Sequence, residues 1–183
     1  MTFASLLKGQ KLQISCAAFI TQQAKGRQSL DITVQPATVR DLERLYEIER
    51  ECFTAEAFGK EHIAFLLEEP DSVGLVARIN DEVVGFIIGL IRFAANGTNA
   101  GHVYTLDVAM KHRRRGIGLR LLKDLEEKFI EKGSRASYLE TRTDNLAARE
   151  LYHKQGYSEV ERLEDYYQKG AHGIRMKKLL EAL

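Results

Sequence analysis

Residues 108–119 read V-A-M-K-H-R-R-R-G-I-G-L, and an amphipathic helical pattern follows at once. A basic run that feeds a two-glycine turn into a helix start builds an anion site. The first amides of a helix have no carbonyl partner within it, and the helix dipole adds to their attraction for phosphate oxygens. Gly116 and Gly118 let a ligand approach backbone where a Cβ would obstruct it, and Arg113, Arg114 and Arg115 offer bidentate charge. The chemistry indicated is capture of a pyrophosphate-bearing ligand. Taken alone, the run also fits a solvated basic loop. It is not a dinucleotide fingerprint, because Leu121 stands where the third glycine belongs, and it lacks the Lys-Ser/Thr of a P-loop.

Other residues could move protons. Glu140 is a carboxylate beside apolar Leu139 in a strand-like stretch; it either does chemistry or pairs with Arg142 or Arg113. His102 opens the strand that leads to the basic turn. Imidazole suits proton transfer near neutrality, and a strand-edge histidine without a role is the other reading. Tyr152 sits in a helical stretch, where it is a functional phenol or a core residue packed on Ala148, and Asn145 competes with Asp144 to cap that helix. No His, Cys, Asp or Glu cluster has metal-ligand spacing.

The elements that must position these groups follow from periodicity. Asp31–Gln35 alternates as a short strand closed by Pro36, and Thr38 with Asp41 marks a helix start ahead of Leu42, Leu45, Tyr46, Ile48 and Glu49. After the loop 53–59 a second helix carries Ile63, Leu66 and Leu67. Strands 72–79 and 82–92 are joined by the hairpin signal Asn80-Asp81, and the nearly all-apolar second one requires burial on both faces. Residues 94–101 read as a loop, 102–109 as a strand, and 116–132 as the clearest helix, ended by Gly133. A strand at 136–141, a helix at 145–155 and strands at 157–163 and 173–179 complete the series. The order predicts an α+β domain over residues 31–183, with residues 1–30 as an appendage.

The 27 basic and 26 acidic residues leave a net charge of +1, so no global field draws nucleic acid. Cys16 and Cys52 form no disulfide or metal pattern, which points to a reducing, cytoplasmic setting. No run reaches membrane-spanning length, and Gln13 and Ser15 break the mildly apolar stretch 12–20, against a signal peptide.

Two blocks together carry a resemblance. Val108 followed by Arg113-x-x-Gly116-x-Gly118, and Leu139–Tyr157 (L-E-T-R-T-D-N-L-A-A-R-E-L-Y-H-K-Q-G-Y), resemble the acetyl-CoA signature and the second block of the GNAT superfamily of N-acetyltransferases. Within it, Leu139, Glu140, Arg142, Asn145, Leu151-Tyr152, Tyr166-Tyr167 and Met176 look most like the ribosomal-protein-alanine and archaeal protein N-terminal acetyltransferases. The resemblance implies a mixed, mostly antiparallel sheet of about seven strands with about four helices. It implies direct transfer of acetyl from acetyl-CoA to an amine, without a metal, in a monomer or homodimer; the acceptor it favours is a protein or peptide N-terminus, with a small amine, an amino acid or a protein lysine as the alternative. It further implies that the backbone of Leu106, Asp107 and Val108 pairs with the pantetheine arm, on a strand that bulges and splays from the next. The amides of Arg114, Arg115, Gly116, Ile117, Gly118 and Leu119, with Arg113 nearby, hold the pyrophosphate, and Asn145 contacts the cofactor. Tyr152 is the general acid, Glu140 or His102 the base, and Phe53, Glu56, Tyr166 and Tyr167 frame the acceptor. The 53–58 loop lacks the Pro-Trp usual in the ribosomal enzymes, and the stretch after Tyr167 lacks their acidic residues.

Overall fold

The apolar run Val83–Ile91 forms the interior of strand β3 (Glu82–Phe93), and both its faces are covered, as such a run requires. The computed structural model describes residues 31–53, 57–93 and 99–181. Residues 1–30, assigned to an appendage, and Glu56 lie outside the described residues. Around β3 stand β1 (Ile32–Pro36), α1 (Leu42–Cys52), α2 (Lys60–Glu68), β2 (Ser72–Ile79), β4 (Asn99–Val108), α3 (Ile117–Glu131), β5 (Ser134–Arg142), α4 (Leu146–Lys154), β6 (Ser158–Gln168) and β7 (Ala171–Leu179). The sheet has seven strands in the order β1-β2-β3-β4-β5-β7-β6. Only β4 and β5 are parallel; the other pairs are antiparallel. This is the expected α+β architecture.

Leu121, Leu125 and Phe129 of α3 and Ala148, Leu151 and Tyr152 of α4 pack on one face, against Ile87, Val103, Leu106 and Leu139. Leu45 and Ile48 of α1 and Ile63 and Leu66 of α2 cover the other face, against Val76, Phe86, Ile88 and Tyr104. Burying each such side chain stabilises by roughly 1.5–3 kcal/mol. Gly89 and Gly101 let the Phe129 ring lie directly on the strands; a Cβ at either would run into it.

Local signals close as chemistry dictates. Asn80 and Asp81 both have positive φ, 49° and 65°, the two-residue turn whose twist matches its hairpin strands. The Thr38 amide donates to Asp41 Oδ2 at 2.9 Å, capping a short 3-10 turn that runs into α1.

Two boundaries differ from expectation by three residues or more. Residues 99–101 belong to β4, because Asn99 pairs with both Phe93 and Ser134. Strand β6 runs on through Tyr166 and Tyr167 to Gln168. Leu163 pairs with Gly173 and Gln168 with Ala171, so a wide bulge breaks the alternation that would have marked the strand.

One more irregularity shapes the centre. Ile88 faces Thr105 while Gly89 faces Val103, so Tyr104 is an extra residue in β4. Before this bulge Gly101 and Val103 face α3; after it Leu106 and Val108 do. The β4–β5 ladder ends at His102–Tyr138, after which β4 continues with β3 alone and β5 with β7 alone. The strands part there and leave a wedge between them.

Candidate active site

The basic turn closes one end of the wedge. Arg114 and Gly116 both hold positive φ, 60° and 82°. A Cβ on Gly116 would meet no protein atom within 4 Å, so within the protein itself it is the sign of φ that calls for glycine there. The first helical bond runs from the Arg120 amide to Gly116 O, 3.0 Å, which leaves the amides of Ile117, Gly118 and Leu119 without a partner inside α3. Arg114 and Arg115 are exposed beside them. Arg113 turns inward: its Nε donates to Val108 O at 2.9 Å and its Nη2 to Cys52 Sγ at 3.0 Å. It braces the turn from beneath, a use its sequence position did not announce.

Leu106, Asp107 and Val108 line the parted edge of β4. The Asp107 side chain is fully buried, bonded to Thr105 at 2.5 Å on the α1 side, so the residue offers the wedge its backbone only. An open strand edge leading to helix-start amides fits a ligand with an extended amide-bearing arm and a pyrophosphate. Asn145 caps α4, its Oδ1 accepting from the Ala148 amide at 3.2 Å, while Asp144 is held by Arg142 at 2.9 and 2.7 Å. The cap is therefore Asn145 and not Asp144.

The two candidate bases touch. His102 Nε2 lies 2.7 Å from Glu140 Oε2, just past the last β4–β5 pair. Glu140 is wholly buried, and its other oxygen accepts from Arg175 Nε at 2.7 Å. Its ionic partner is thus Arg175 on β7, and neither Arg142 nor Arg113. Burial works to raise the Glu140 carboxyl, but hydrogen bonds and charge from His102 and Arg175 outweigh it and hold the group below the usual carboxylate range. The His102 ring stands 5.0 Å from Tyr104, whose hydroxyl accepts from Arg92.

Tyr152 is fully buried in the cluster that contains Leu106, Val108 and Leu139, with its ring edge-on to Tyr157 at 5.8 Å. It approaches the parted strands from the α3–α4 side, opposite the face of His102 and Tyr104. Tyr166 is half-buried, packs on the α1–α2 cluster and lies close enough to Arg175 to act on its charge. Tyr167 is buried, at right angles to Tyr166, with Arg142 over its ring at 5.9 Å. Phe53 is half-buried at the end of α1.

Two groupings went unread in the sequence. Arg175 is one. The other joins Glu49, Thr105 and Asp107: Thr105 Oγ1 reaches Glu49 Oε2 at 3.2 Å, and Glu49 Oε1 accepts from the Phe58 amide at 3.0 Å. Burial raises both carboxyls, and the charge of Asp107 raises Glu49 further. The pair therefore keeps a proton at neutral pH and ties α1 and the segment after it to the strand of the wedge. A signal existed, since Glu49 sits among the apolar positions of α1. Among the described residues no group of three His, Cys, Asp or Glu side chains could hold a metal, and no helix is long and apolar enough to cross a membrane.

Comparison with known proteins agrees with this geometry. A profile described as the Acetyltransferase (GNAT) family matches residues 42–157. An uncharacterized N-acetyltransferase of Methanocaldococcus jannaschii is 34% identical over 141 residues, 76% of this chain and 86% of the relative. The N-alpha-acetyltransferase RimI of Mycobacterium tuberculosis is 32% identical over 154 residues, 80% of this chain and 92% of the relative. The crystal structure of the ribosomal-protein-S18-alanine N-acetyltransferase from Escherichia coli superposes with a TM-score of 0.72 at 21% identity, covering 83% of this chain and 96% of that one, a likeness of fold. With helix-start amides and a parted β4 edge in one place, this chain belongs to the GNAT family and is an acetyl-CoA-dependent acetyltransferase.

Proposed function

We propose that the acceptor is the N-terminal α-amine of a protein or peptide, ribosomal proteins among them. The observation that carries this reading is the His102–Glu140 pair at the mouth of the wedge, on the α1–α2 face that Tyr166 also packs against. A peptide end laid against the tyrosine pair and Phe53 would bring its amine to His102. Relatives named as N-alpha-acetyltransferases support the reading.

The residues divide the work by face. The amides of residues 114–119 hold the pyrophosphate, with Arg114 and Arg115 adding charge and Arg113 bracing the turn. The Leu106–Val108 backbone aligns the pantetheine arm, and Asn145 completes the cofactor contacts. The amine nitrogen forms the new C–N bond as the C–S bond breaks. The His102–Glu140 pair takes the amine proton on one face, and Tyr152 returns a proton to the sulfur on the other. An α-amine has a pKa of about 7.7–8.0 against about 10.4 for lysine, so roughly a tenth is neutral near pH 7 and a weak base suffices.

The test is incubation with acetyl-CoA and a peptide panel with free or blocked N-termini, with mass spectrometry to place the label. The reading predicts acetyl on free α-amines. Label confined to lysine side chains or to small amines overturns it.

A further inference from the structure

We propose that Arg175 is a positioning residue that makes Nδ1 of His102, and not Glu140, the atom that takes the amine proton. The inference rests on the base role proposed above for this pair.

Glu140 and Arg175 face each other across β5 and β7. Arg175 Nε donates to one carboxylate oxygen at 2.7 Å, and the other oxygen meets His102 Nε2 at 2.7 Å. Glu140 has no exposed side-chain surface, whereas 19% of the His102 side chain is exposed. An amine entering the wedge reaches the imidazole and not the carboxylate.

The tautomer follows from donor chemistry. An ionised carboxylate only accepts hydrogen bonds, so His102 Nε2 must carry the hydrogen and the lone pair of the neutral ring sits on Nδ1. A protonated Glu140 would instead donate to Nε2, and the lone pair would point away from the acceptor. Burial alone favours the neutral form of this carboxyl; His102 and then Arg175 hold it down, and of the two the guanidinium is the one that keeps its charge when the imidazole is neutral and ready to accept a proton.

The neighbours on each packed element leave this task to Arg175. On β4 the Tyr104 ring lies beside His102, and its hydroxyl is held by Arg92 of β3. On β5 Tyr138 lies beneath Lys177 of β7, whose ammonium is 5.3 Å from the ring centre. On β6 Glu161 pairs with the far side of the guanidinium, and Tyr166 stands near it. Arg175 is the cation seated directly on Glu140.

The experiment is two-bond 15N–1H NMR of histidine-labelled full-length protein without ligands, with His102 assigned by its loss in His102→Gln. The wild type is expected to show the Nε2–H tautomer on the alkaline side of the His102 titration. In Arg175→Met the pair should take up its proton at higher pH, by roughly one unit, with a mixed tautomer. Arg175→Lys should restore the wild-type pattern. The acid limb of kcat/KM, measured on the same proteins, should move with the titration. An Nδ1–H tautomer in the wild type overturns the inference without any variant, as does an unmoved titration in Arg175→Met. A titration that moves while the rate profile stays put overturns the base role of the pair.

Discussion

His102 and Glu140 come from strands that pair for only a few residues, yet their side chains meet at 2.7 Å just beyond the last pair, His102–Tyr138. The parting of the strands therefore also brings the His102–Glu140 pair to its edge. Tyr152 is buried among Leu106, Val108 and Leu139 on the opposite face of the sheet. The proposed acceptor of the amine proton and the proposed donor to sulfur therefore stand on opposite sides of one sheet.

Replacing Glu140 with glutamine keeps shape and removes charge. The imidazolium of His102 then loses its carboxylate, so the acid limb of kcat/KM should move to lower pH and turnover at neutrality should fall by about 10²-fold. An unaltered profile would shift the base role to solvent. Stability carries a second signature. The folded carboxyl lies below its unfolded value of about 4.3, so its contribution is full above that pH and is lost as pH falls through the folded value. Acid unfolding of the variant should lack this loss.

Tyr152→Phe keeps the ring that packs edge-on to Tyr157. The fold and acetyl-CoA affinity should persist while kcat drops by about 10²- to 10⁴-fold. Wild-type turnover would make Tyr152 a core residue only.

Gly118 lies in the first turn of α3, among the amides that have no partner within the helix. Gly118→Leu should weaken acetyl-CoA binding at least about tenfold, the loss of about 1.4 kcal/mol of contact, while cooperative unfolding survives. Calorimetry reads the first and circular dichroism the second; unchanged affinity would remove pyrophosphate from this turn.

Features legible in the sequence were local ones. The glycine turn, the Asn80-Asp81 hairpin, the apolar β3 and the helix capped by Asn145 each declare themselves within a few residues. Arg175 and Glu140 are 35 positions apart, and Glu49 and Thr105 are 56 apart; only the folded sheet makes them partners. The inward turn of Arg113 was hidden because its acceptors, Val108 O and Cys52 Sγ, are set by tertiary packing. Tyr166 and Tyr167 escaped assignment to a strand because the β6 bulge suspends the period of two.

The buried Glu49–Asp107 pair makes an opposite prediction to Glu140. Glu49 is raised by burial and by Asp107, so it stays protonated in the fold at pH values where the unfolded chain has released the proton. Its contribution is full below the unfolded value of about 4.3 and declines as pH rises toward the folded one. Glu49→Gln mimics the protonated acid and can keep the Phe58 bond. Its melting temperature should fall less than that of the wild type between pH 5 and pH 9; parallel curves would show that the pair is not holding a proton.

The most direct test of the account compares kcat/KM at pH 7 for one peptide in two forms, with a free N-terminus or with a blocked N-terminus and a free lysine. The neutral fractions of the two amines differ by a few hundredfold, and a site built around a weak imidazole base does not close that gap. The account predicts a preference for the free N-terminus of about a hundredfold or more. Equal rates, or faster acetylation of the lysine, would contradict it.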